Sequence, residues 1–120
     1  MTKQELEKFE QELQSRGYTK YSAHNNADYA WYKSFGKSKL EYERSNYQIC
    51  FSVWEWIKKP NCSRSGGYFK YNLYDISPTI MVSRCVDERT DLEIYHTKDV
   101  EKIEQLAESF FKWVEENIKI

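Results

Sequence analysis

The apolar residues of this chain change their period twice, and that limits what the chain can fold into. Near the N-terminus Leu6, Phe9 and Leu13 recur every three to four positions. From Tyr29 the alternation is every second residue, and from Val100 the helical spacing returns. The first and last patterns mark amphipathic helices; the middle one marks strands with a buried face. Hairpin-length connections join the strands. The order predicts an α+β fold: an N-terminal helix, an antiparallel sheet of about five strands, and a long C-terminal helix packed on the sheet. The 120 residues read as a single α+β domain, 1–120, long enough to bury roughly two-thirds of the unfolded surface.

Local signals place the elements. Thr2 and Glu5 have capping-box spacing and Gly17 suits a helix end, so the first helix is expected over about 3–16. Tyr18 to Ala27 reads as a polar connection. A first strand runs from Tyr29 towards Gly36, and a long second run carries Leu40, Tyr42, Tyr47, Ile49, Phe51 and Val53. That run is either two strands broken near Ser45-Asn46 or one strand with a bulge. Its Tyr47/Ile49/Phe51/Val53 face is core-like, and the Gln48/Cys50/Ser52/Trp54/Trp56 face is mixed. Residues 58–67 hold Pro60, Asn61, two serines and Gly66-Gly67, a loop composition. Tyr68 to Tyr74 resumes the alternation. Asp75 to Pro78 reads as a turn or an edge because proline has no N–H for a ladder. Ile80–Val86 and Leu92–His96 are expected strands around a charged turn at 87–91.

Thr97 or Asp99 then caps the long helix, whose apolar face is Val100, Ile103, Leu106, Ala107, Phe110, Trp113, Val114 and Ile118.

No apolar run approaches the ~18 residues of a membrane span, and Met1 to Leu6 lacks the apolar stretch of a signal peptide. Cys50, Cys62 and Cys85 are odd in number, with no CxxC spacing, which argues against a disulfide framework and a structural zinc site. A cytoplasmic chain without membrane contact, metal or cofactor is therefore expected.

Catalytic signals are weak. Cys62 lies near Lys58, Lys59 and Arg64, and cations lower a thiol pKa, but no family signature surrounds it. A small Cys-dependent enzyme would also need His24 or His96 alongside. Gly66-Gly67 neither follows the pattern of a phosphate loop nor opens a helix.

The charge is more informative. The net value of −1 averages a middle segment, 29–71, carrying +5 with an acidic C-terminal third carrying −5. The same middle segment holds twelve of the twenty aromatic residues. Rings beside cations suit either a protein hot spot or stacked single-stranded nucleic acid. The plainer explanation is that Tyr and Trp favour strands and lysines guard sheet edges. The sequence thus points to a non-enzymatic binding or adaptor domain. It would engage a protein partner, its own copy included, through an aromatic-rich sheet face or edge. Single-stranded nucleic-acid binding through residues 29–71 is the alternative. The candidate binding residues are Trp31, Trp54, Trp56, Lys58, Lys59, Arg64, Tyr68 and Lys70.

Overall fold

Both ends of the first helix are built by short-range hydrogen bonds in the computed structural model, which describes residues 1–22, 27–35, 46–56, 73–85 and 88–117. At the start of α1 (Lys3–Ser15), the Glu5 N–H donates to the Thr2 hydroxyl and the Thr2 N–H to the Glu5 carboxylate, each at 3.2 Å. This is the expected capping box. At the other end Gly17 takes φ 92°. Its N–H donates to the Gln14 carbonyl, and the Tyr18 N–H to the Leu13 carbonyl. That pair of bonds is a Schellman motif, which turns the chain back on the helix and buries the residue after the glycine. Tyr18 is accordingly 4% exposed. The expected polar connection is corrected here: Tyr18 belongs to the interior, and a short strand, β1 (Thr19–Tyr21), follows it directly.

The sheet continues with β2 (Tyr29–Ser34), β3 (Asn46–Trp56), β4 (Leu73–Cys85) and β5 (Glu88–Glu93). The five strands are antiparallel and lie in sequence order, each beside its neighbour in the chain. β3 is one unbroken strand that starts where the sequence suggested a break. The other expected features of residues 36–45 and 57–72 lie outside the described residues.

Two boundaries differ from expectation. β4 runs straight through Pro78. The reason lies in the ladder: in antiparallel pairing, a residue exchanges its N–H and C=O with the same neighbouring strand. The Pro78 carbonyl accepts from the Ile94 N–H at 3.0 Å, one residue beyond the Thr79–Glu93 pair that closes the β4–β5 ladder. The missing N–H therefore falls where that ladder ends. Meanwhile β5 starts at Glu88, within the expected charged turn, and stops at Glu93, so Tyr95 and His96 lie beyond it. It pairs Ile80 with Leu92 and Val82 with Thr90, and the register shifts between Ser83 and Cys85. An outermost strand needs little apolar character, and its charges oppose pairing with other chains.

The chain divides into two compact units, Met1–Trp31 with Ser52–Ile76, and Tyr32–Phe51 with Ser77–Ile120. In the first unit, Leu6 and Leu13 of α1 are buried, as are Tyr29, Ala30 and Trp31 of β2 and Tyr74 and Ile76 of β4. The Met1 carbonyl accepts from the Tyr74 N–H, and the Asp28 carboxylate from the Glu55 N–H.

The second unit is organised by the C-terminal helix, α2 (Val100–Asn117). Asp99 caps it, its carboxylate accepting from the Lys102 N–H at 3.2 Å, while the Thr97 hydroxyl accepts from the Asp99 N–H. The helix packs against the sheet through Val100, Ile103, Ala107, Phe111 and Val114, each at most 1% exposed. Phe111 stacks on Tyr47 of β3 with ring centroids 4.8 Å apart and lies 5.7 Å from Phe35. The sequence assigned this inward role to Phe110. Positions 110 and 111 stand three and four residues after Ala107, so helical spacing admits both. The Tyr47 and Phe35 rings select Phe111.

Candidate protein-binding surface

Trp31 is the first of the sequence candidates to be placed. It is 8% exposed, and its indole N–H donates to the Glu10 carboxylate of α1 at 2.6 Å. Its ring is thus part of the interior and not an exposed platform. The cause is Glu10, which sits between Leu6 and Leu13 at the spacing of the apolar stripe and so turns towards the sheet. A carboxylate in that position needs donors. Trp31 and Tyr29, two residues apart on one face of β2, supply them. Burial, with the hydrogen bond to Glu10 next, pushes the Tyr29 phenol well above its ordinary pKa and keeps it protonated. The Lys20 ammonium lies 4.0 Å from the centre of the same ring, a cation–π contact. Glu10 was missed in the sequence reading; its place within an apolar stripe is the signal that could have found it.

Of the remaining candidates, the structure describes one side chain. Trp54 is half-buried. Trp56 ends β3, but its side chain is outside the described residues, as are Lys58, Lys59, Arg64, Tyr68 and Lys70 altogether. The mixed face of β3 is largely closed at its centre: Cys50 is 1% exposed and Ser52 is buried. Cys50 fills its place in β3 as a small apolar side chain does. Cys62 and His24 lie outside the described residues, and His96 is exposed between β5 and α2. Among the described residues no three His, Cys, Asp or Glu side chains are grouped to hold a metal ion. No helix among them is long and apolar enough to cross a membrane.

Among the described residues, α2 carries an exposed apolar and aromatic row. Leu106, Phe110 and Trp113 follow one another at spacings of four and three, which sets them in a row along the helix. Leu106 is 37% and Trp113 52% exposed, and Phe110 is half-buried. The Phe110 and Trp113 rings stack with centroids 6.5 Å apart and planes 9° from parallel. This row flanks the buried row of Val100, Ala107 and Val114. On the opposite flank of the helix are Glu101, Glu104, Glu108 and Glu115. Elsewhere in this unit Tyr95 stands out, 86% exposed, with its hydroxyl donating to Glu93. That hydrogen bond holds the phenol pKa above its ordinary value.

The chain matches no protein-family model, and no curated protein or solved structure is significantly similar to it.

Proposed function

We propose that this chain is a binding module, without catalytic chemistry of its own, that engages a protein partner in the cytoplasm. The observation that carries this reading is the outward row of Leu106, Phe110 and Trp113 on α2, with its two stacked rings. An aromatic side chain that remains half in water on a folded helix leaves apolar area for a partner to cover, and Trp is the residue most enriched in protein hot spots. The helix bearing it carries five glutamates, at 101, 104, 108, 115 and 116, against Lys102 and Lys112. That balance repels a phosphate backbone and favours protein over single-stranded nucleic acid. The cytoplasmic assignment rests on three cysteines without disulfide spacing.

A Trp113→Ser variant tests the reading. Because the ring is exposed, stability should change by no more than about 0.5–1 kcal/mol, while capture of a partner protein by the immobilised chain is lost. Capture that survives the substitution would overturn the reading. So would quenching of tryptophan fluorescence by short single-stranded oligonucleotides that weakens steeply with salt.

A further inference from the structure

The row on α2 has a regular spacing. Ile103, Leu106, Phe110, Trp113 and Asn117 are separated by three, four, three and four residues, the alternation of a coiled-coil seam. The inner end of this seam, Ile103, is buried in the chain's own core, whereas Leu106 and Trp113 are exposed. Along the outer border of the seam run Lys102, Ser109 and Glu116, seven residues apart and all exposed. Along the inner border run Val100, Ala107 and Val114, which are buried.

The outer border carries a positive, a neutral and a negative residue in that order, so it is complementary to itself when reversed. An antiparallel second helix brings outer border to outer border. Lys102 then meets Glu116 of the second copy, Glu116 meets Lys102 of the second copy, and Ser109 faces its own equivalent across the two-fold axis. A parallel helix would set this border against buried residues and leave both charges without a counterpart. We propose that α2 pairs antiparallel with α2 of a second copy of this chain, making a two-fold symmetric dimer. Leu106 packs on Phe110 of the second copy and Trp113 covers the turn at Lys102 and Ile103. One interface of this kind is isologous and closes on itself, so assembly stops at two chains. The proposal rests on the reading of α2 as the binding surface and names the partner.

Two measurements on the full chain decide it. Sedimentation equilibrium from roughly 5 to 500 µM should show the mass rise from 14.5 kDa towards twice that value. Lys102→Glu or Glu116→Lys, each placing like charges together twice per dimer, should weaken association about tenfold. The double variant should restore it. In a Ser109→Cys variant, mild oxidation should join the two introduced thiols in a disulfide across the two-fold axis, identified by peptide mass mapping. A chain that stays at monomer mass throughout and forms no such cross-link overturns the proposal. If that chain still loses capture of another protein on Trp113→Ser, the binding surface stands and the second copy is the wrong occupant. If capture is unaffected as well, both readings fall.

Discussion

The Trp31 indole N–H and the Glu10 carboxylate join β2 to α1 at 2.6 Å, with the donor and acceptor both partly withdrawn from bulk water. The bond ties the edge of an aromatic ring to a helix that would otherwise be held mainly by apolar contacts. Glu10→Ala should therefore cost about 1–3 kcal/mol, since a part-buried N–H and a phenol lose their acceptor together. Glu10→Gln keeps an acceptor and should cost less. Urea unfolding followed by tryptophan fluorescence checks both, and equal losses would show that the negative charge carries the contribution and a neutral acceptor of the same bulk does not replace it.

Phe110 and Phe111 separate the two roles of α2. Phe111→Ala should destabilise by about 3–5 kcal/mol because its ring fills the space over Tyr47. Phe110→Ala should cost about 1 kcal/mol or less. Thermal melts of the two variants give the ranking directly, and a reversed order would place the helix in the wrong rotation.

Tyr29 makes stability depend on alkaline pH. Its folded pKa is raised from 10, through burial first and the Glu10 hydrogen bond second. The folded state thus favours the neutral phenol. This contribution is complete below pH 10 and is lost as pH climbs from 10 towards the folded value. Stability should fall over that interval, and less steeply in Tyr29→Phe. Parallel curves for the two chains from pH 9 to roughly 11.5 would refute the assignment.

Gly17 holds φ 92° at the end of α1. A β-carbon there costs about 1–2 kcal/mol, so Gly17→Ala should lower the urea midpoint. No change would mean that the turn back to Tyr18 survives without glycine.

These tests also mark which parts were legible beforehand. Leu6 with Leu13, and Val100 with Ile103, Ala107 and Val114, were readable because one apolar face repeated at helical spacing admits one buried side. The Phe110–Phe111 pair was not, because adjacent rings satisfy that spacing equally and only Tyr47 and Phe35 choose between them. β5 was misplaced because Arg89, Asp91 and Glu93 are charged as edge residues are, and charged strands resemble turns in sequence. Trp31 looked like a surface candidate because alternation sorts a strand into two faces without saying which one a helix covers; Glu10 says so. The α2 row was visible only as excess. The apolar face assigned to the helix spans about 140° of its circumference, more than one packing surface needs. Leu106 and Trp113 are the surplus.

Pro78 has an effect on how the chain tolerates change in length. The β4–β5 hydrogen bonds end where its missing N–H would have continued them, just after Ile94 donates to its carbonyl. The paired length of β5 is therefore fixed from across the sheet and not by the residues that follow it. Extra residues placed between Tyr95 and Lys98 have no ladder to extend. They lengthen the link to Asp99 at an entropic cost of only about 0.6 kcal/mol per doubling. The register of Ile80 with Leu92 stays where it is, and among the described residues this link is a place where a tag or an inserted loop should be accommodated.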